Sequence, residues 1–191
     1  MRIGESMKEA VIKIFEEGAR VKTAFAKENA GRIVEVVHLI ARTFREGHKV
    51  ILFGNGGSAT DASHIAAEFV NRFLIDRPPL PAIALNTDVA VLTSISNDFG
   101  YDQIFSKQLS ALGHEGDVVI GISTSGNSPN VIKALDVAKK NGMKTVVLTG
   151  GAGGKMVNFA DYTFVVPSRH TPHILETHIT LGHILCQMVD E

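Results

Sequence analysis

A chain of 191 residues, 45% hydrophobic and 20% charged, has the makeup of an ordinary globular protein with a substantial core, in one or at most two domains. Its net charge of −1 excludes a broad electrostatic surface for nucleic acid or anionic membrane, while backbone amides can still form a local anion site. The single cysteine, Cys186, excludes an intrachain disulfide and reads as a small core residue.

Val11, Ile14, Phe15, Val21 and Phe25 recur at helical spacing and predict a helix over 5–29. Ile33, Val36, Val37, Ile40 and Phe44 predict a second helix over 31–46, with Gly47 as its stop. These amphipathic helices form a helical hairpin (1–47) ahead of an α/β core (48–191) in one domain. Their apolar faces are expected to cover a sheet or meet another subunit. No apolar run approaches the ~20 residues of a membrane span, and the start of the chain lacks a signal peptide's apolar stretch. No membrane or nucleic-acid partner is expected, and the expected location is the cytoplasm.

From Lys49 the pattern changes period. Apolar runs at 49–53, 118–122, 145–148 and 162–166 read as buried strands, while 80–85 and 89–96 fit strand or helix. Helical patterns lie near 59–74, 104–112, 128–141 and 173–190. Alternating strands and helices predict an α/β fold: a three-layer αβα sandwich with a five-stranded parallel sheet, flavodoxin-like. Ligands of such sheets sit beyond the carboxyl ends of the strands.

Two loops occupy that position. Gly54-Asn55-Gly56-Gly57-Ser58 follows the first strand and opens a helix, so that glycines allow close backbone approach and helix N–H groups face an anion. Ser123-Thr124-Ser125-Gly126-Asn127-Ser128 offers hydroxyls in front of Pro129, which suits a first helical turn. Capping clusters would have the same composition, but two such loops at one sheet edge point to a phosphate. Neither loop is a Walker A sequence or a GxGxxG turn, and no nucleotide cofactor is expected. Asn97 and Asp98 read as a polar turn after a further strand. His64 and Glu68, four apart on a helix, share a face and could move a proton or ligate a metal. On the last helix Glu176 and His183 share a face, with His178 turned away.

On the motifs GNGGS, DASHIAAE (61–68), NDFG (97–100), GDVVIGISTSGNSPNVIKA (116–134), TGGAGGKM (149–156) and ETHITLGHIL (176–185), the whole chain resembles the sugar isomerase (SIS) domain family. Within it, the resemblance is greatest to members that isomerise the seven-carbon sugar sedoheptulose 7-phosphate to D-glycero-D-manno-heptose 7-phosphate, the first step toward ADP- or GDP-heptose for lipopolysaccharide or surface glycans. It implies that Asn55, Gly56, Gly57 and Ser58 line the substrate pocket and that Ser123, Thr124, Ser125 and Ser128 hold the phosphate. Asn97 and Asp98 would contact sugar hydroxyls, and Glu68 and His183 would be the catalytic acid–base pair. It further implies a homotetramer and, in some members, one zinc per subunit on the equivalents of His64, Glu68 and His183 plus a glutamine. Leu175 stands at that glutamine's position.

The chemistry implied is an aldose–ketose isomerisation through an enediol, with Glu68 as the base between C1 and C2 and His183 serving the oxygens. The family also holds non-catalytic binders, including one that associates with the replication initiator DnaA and resembles this chain over 71–98. Retention of His64, Glu68 and His183 favours the isomerase.

Overall fold

The computed structural model describes residues 3–191. A single helix α1, Ile3–Arg45, precedes strand β1 (Val50–Gly54), helix α2 (Gly57–Val70) and strand β2 (Ala82–Ala84). Helices α3 (Val89–Phe99) and α4 (Ile104–Leu112) follow, joined by one 3₁₀ turn. Then come β3 (Val118–Ile122), α5 (Pro129–Lys140), β4 (Lys144–Gly150), β5 (Tyr162–Val166) and α6 (Thr171–Asp190).

All five strands are parallel, in the order β2-β1-β3-β4-β5. The expected three-layer α/β sandwich is thus present. Alternation along each strand divides the core. Val50, Leu52, Val118, Ile120, Ile122, Val146 and Leu148 join the layer of α1, α2 and α6. Ile51, Phe53, Val119 and Val147 pack with α4 and α5 on the other face. Burial on both faces explains why the central strands read as unbroken apolar runs. The segment 89–96, open between strand and helix, is helical, with Asp88 Oδ1 accepting from the Val91 amide at 3.0 Å as the N-cap.

The helical hairpin expected at the N-terminus is not formed. Its two helices are one element of 43 residues, about 65 Å long. Gly31 lies where the two would have parted, but glycine in a helix interior costs only about 1 kcal/mol relative to alanine and imposes no turn. The buried stripe of Val21, Phe25, Ile33, Val36, Val37 and Ile40 runs through it without a change of phase. Gly47, at φ 81°, ends the helix, and the His48 amide reaches back to the Thr43 carbonyl at 3.0 Å. The first part of α1 leaves Met7, Val11, Ile14 and Phe15 exposed, Phe15 at 77%.

Gly31 is exposed, and a Cβ added there meets nothing within 4 Å. Gly31→Ala is therefore expected to stabilise the chain by about 0.5–1 kcal/mol in urea unfolding. A destabilised variant would mean that the helix is interrupted at this point.

Candidate active site

The sheet reverses its winding between β1 and β3. From β1 the chain passes to α2 on one face, and from β3 to α5 on the other. The two strands pair in register to their ends, Gly54 opposite Ile122, so both loops emerge side by side. Between them lies a cavity of about 120 Å³ lined by Asn55, Ser58, Ile122, Ser123, Thr124, Ser125 and Ser128.

Helix α2 starts behind Gly56 and α5 behind Ser128, and neither has a side-chain cap. The positive ends of both helix dipoles therefore face the cavity, and on α5 the Val131 amide donates to Asn130 Oδ1 at 2.9 Å. The Ser128 hydroxyl instead meets that of Ser123 at 2.9 Å. Ser125 Oγ accepts from the Asn127 amide at 3.2 Å, and Asn127 Oδ1 accepts from the Lys155 amide at 3.1 Å. Gly126 holds φ 65°, and a Cβ on it would fall 1.9 Å from the Gly153 carbonyl oxygen. The glycine segment 150–154 is thus a backing for the hydroxyl loop. The Met156 amide donates to the Gly126 carbonyl at 3.0 Å, and the Gly150 amide to that of Thr124 at 3.1 Å.

Asn55 is fixed from two sides. Its amide exchanges hydrogen bonds with Asn130, each 2.9 Å, and its Oδ1 accepts from the Tyr101 hydroxyl at 2.9 Å. Neither Tyr101 nor Asn130 stands out in the sequence. Asn130 follows Pro129 in the first turn of α5, and its place behind a hydroxyl loop is the one available signal. A larger cavity of about 390 Å³ adjoins the hydroxyl loop and brings Arg169 beside Thr124 and Ser125.

Farther along α2, His64 Nε2–H donates to Glu68 Oε1 at 3.1 Å. The His183 ring of α6 meets His64 edge-on at 5.0 Å between centroids and stacks on Phe73 at 5.3 Å. His64 and Glu68, four apart on α2, are thereby joined by the distant His183 within one chain. From Ser58 to His64 is about 9 Å along the helix axis, and to Glu68 about 15 Å.

Asn97 and Asp98 do not form a turn after a strand. They sit in the last turn of α3, whose C-cap is Gly100 at φ 94°. Both are exposed and bonded to each other, Asn97 Nδ2–H to Asp98 Oδ1 at 2.8 Å. It is Tyr101, beyond Gly100, that reaches the loop.

The zinc set does not fit as arranged. Among the described residues, no three His, Cys, Asp or Glu side chains come together in a way that could hold a metal ion. His64 Nε2 is engaged by Glu68, and Leu175 brings its Cδ1 methyl to 3.0 Å from where a Gly57 Cβ would lie. A hydrocarbon cannot complete an N/O ligand sphere.

Two further groups shift in opposite senses. His178 is 1% exposed and donates Nε2–H to the Thr149 carbonyl at 3.1 Å, with Nδ1 unpartnered. Burial pushes its pKa down to about 4. Asp61, on α2 between Ser58 and His64, has a buried, unpartnered Oδ2. Burial pushes it up to about 6, against the opposing charge of His64.

The SIS domain family model matches residues 14–150. The chain is 60% identical over 185 residues to the phosphoheptose isomerase of Thermodesulfovibrio yellowstonii, covering 97% of this chain and 92% of the relative. To that of Aquifex aeolicus it is 55% identical over 185 residues, covering 97% of each. Among solved structures, phosphoheptose isomerase from Neisseria gonorrhoeae superposes with a TM-score of 0.90 at 41% identity, covering 96% of this chain and 98% of that one.

Removing one hydroxyl from the loop tests its role as an anion site. Ser125→Ala is expected to weaken sugar-phosphate binding roughly 10-fold in calorimetry, the loss of one hydrogen bond to a charged group. Unchanged affinity would reduce the loop to a structural turn.

The two shifted groups oppose each other in folding. Unfolded His178 takes up a proton between pH 6.5 and about 4 that the folded form refuses, so its stability contribution is lost as pH falls through that range. Folded Asp61 keeps a proton between pH 3.8 and about 6 that the unfolded form releases, so its contribution is lost as pH rises. Asp61→Asn should leave stability falling toward acid, and His178→Gln should leave it falling from about pH 4 toward about 6. Urea midpoints against pH report both slopes, and parallel profiles of the two variants would contradict the assignment.

Proposed function

Because the chain belongs to the SIS domain family, we infer that it shares the activity for which its relatives are named. It is a phosphoheptose isomerase, an aldose–ketose isomerase that interconverts sedoheptulose 7-phosphate and D-glycero-D-manno-heptose 7-phosphate. The observation that carries this reading is the spacing of two chemistries along α2: hydroxyls and a bare helix start at one end, a carboxylate and imidazoles two to three turns on. An open-chain heptose phosphate likewise keeps C1 and C2 well separated from the C7 that bears its phosphate. Anchoring the phosphate therefore directs the reacting carbons toward Glu68 and His183.

In the ketose, Glu68 removes a proton from C1 while His183 supplies one to the carbonyl oxygen at C2, giving the enediol. The proton held by Glu68 then returns to C2, and the C1 hydroxyl loses its proton to form the aldehyde. No atom is gained or lost. His64 bonds to the Glu68 carboxylate and lies edge-on to the His183 ring, so it keeps the two groups in one cluster. No step is assigned to zinc, given Leu175. The reading of this chain as a DnaA-associating binder is disfavoured, since relatives at 50 to 60% identity are named as the isomerase.

The exposed face of Met7, Val11, Ile14 and Phe15 supports assembly of several copies, for which a homotetramer is the proposed form and 1–47 the assembling segment. Among the described residues, no helix is long and apolar enough to cross a membrane. The proposed setting is the cytoplasm, and the proposed use of the product is heptose supply for lipopolysaccharide or surface glycans.

Glu68→Gln is expected to lower kcat by about 10²-fold or more while leaving KM for sedoheptulose 7-phosphate nearly unchanged, because it removes the base and keeps the shape. The assay follows aldose formation with purified protein. Full turnover by this variant would remove Glu68 from the chemistry.

A further inference from the structure

The acid and the base stand on different helices, so their separation depends on how α2 and α6 are held together. The helices touch where Gly182 faces Ile65: a Cβ on Gly182 would lie 2.5 Å from Ile65 Cδ1. The contacts of α2 with α6 at Gly57, His64 and Ile65 precede Glu68, which lies nearer the end of the helix. Glu68 lies in the last turn of α2, where carbonyls lack partners within the helix and ends fray. No basic residue of that turn answers them.

Arg77, on the connection between α2 and β2, meets this need. Its Nη2–H donates to the carbonyl of Glu68 at 3.0 Å, and its Nη1–H to that of Phe69 at 2.7 Å. Longer contacts from Nη1 reach the carbonyls of Asn71 at 3.4 Å and Pro78 at 3.3 Å. Its Nε–H donates to Asp190 Oδ1 at 2.7 Å. The two side chains are 11% and 5% exposed. Asp190 is the last residue of α6, where the helix dipole disfavours an anion, so its burial there depends on the cation opposite. The same connection carries Phe73, on which the His183 ring stacks.

We infer that Arg77, clasped to Asp190, is a positioning residue that fixes Glu68 and the Phe73 platform of His183 relative to each other. The inference rests on the isomerase reading given above. Arg77 touches no reacting atom. It grips the backbone of the residue that bears the base, and it ties the chain segment beneath the acid to the end of the acid's own helix. The phosphate loops lie at the opposite end of α2 and are bonded independently of it.

The test compares Arg77→Gln, Arg77→Lys and Asp190→Asn with the wild type by isomerase kinetics, thermal unfolding and histidine-ring NMR. Arg77→Gln is expected to lower kcat roughly 10- to 100-fold, the effect of displacing reacting groups by about 1 Å, with KM within about twofold. Arg77→Lys should recover part of that loss. Adding Asp190→Asn to Arg77→Gln should cost little more, since the two act as a unit. A lower melting temperature with unchanged kcat at about 25 °C would overturn the inference and leave the pair a structural tie. If Arg77→Gln does not fold, Asp190→Asn decides by the same split of kcat from KM. Absence of turnover in the wild type would refute the isomerase reading instead. The clasp then stands or falls on whether His183 ring resonances move in Arg77→Gln and hold still in Ser125→Ala.

Discussion

Everything at this site depends on the parallel pairing of β1 with β3 to their very ends. Strands that stop together deliver their loops together, and the reversal of winding sends the following helices to opposite faces, leaving a gap between them. Gly54 is what allows the pairing to run so far. A Cβ there would lie 2.7 Å from the Ser58 Cβ and 2.9 Å from the Ile122 carbonyl oxygen. With any larger residue, the start of α2 and the end of β3 could not both approach. The cavity between the loops is therefore a property of the backbone, which the hydroxyl side chains then line.

Helix α6 organises the rest. Four of its residues act in different places: Leu175 packs on Gly57, His178 holds the Thr149 carbonyl, Gly182 admits Ile65, and His183 meets His64. Through Thr149, whose hydroxyl bonds the Gly153 carbonyl at 3.3 Å, His178 steadies the segment that backs Gly126. The helix that carries His183 thus also braces the hydroxyl loop from behind. A rigid support shared by both ends of the substrate suits a reaction in which binding energy at the phosphate must be felt at C1 and C2.

The sequence is most readable where one interaction dominates. Buried central strands are uninterrupted apolar runs, and hydroxyl-rich turns ahead of helices advertise bare N–H groups, so the sheet and both loops are legible in place. Short β2, with three residues at the sheet edge, carries no such pattern. The division of the N-terminal helices at residue 30 misleads because two amphipathic segments read alike whether or not they are continuous, and only the unbroken phase of the apolar stripe from Val21 to Ile40 joins them. Asn97 and Asp98 mislead as turn-formers that here end a helix. Tyr101, Asn130 and Arg77 are silent in the sequence because each acts through a contact far away along the chain: 46, 75 and 113 residues for the bonds to Asn55, Asn55 and Asp190. Local periodicity contains no trace of such pairings.

Leu175 bears on how the enediol is stabilised. A metal would supply positive charge to the two oxygens, and where the resemblance implies a fourth ligand this chain has Leu175, packed on Gly57. In the isomerisation proposed here, which assigns no step to a metal, the negative charge that develops during proton transfer is met by N–H donors. His183, raised on Phe73 and set edge-on to His64, can direct an N–H at those oxygens, while the His64 N–H holds the Glu68 carboxylate in place. Donors of this kind help only if they are fixed before the reaction, because reorienting them during it would cost as much as they return. On that reading, a site built on hydrogen bonds places unusual demands on its scaffold. The close crossing at Gly182 and the Arg77–Asp190 clasp are the features of this chain that answer those demands.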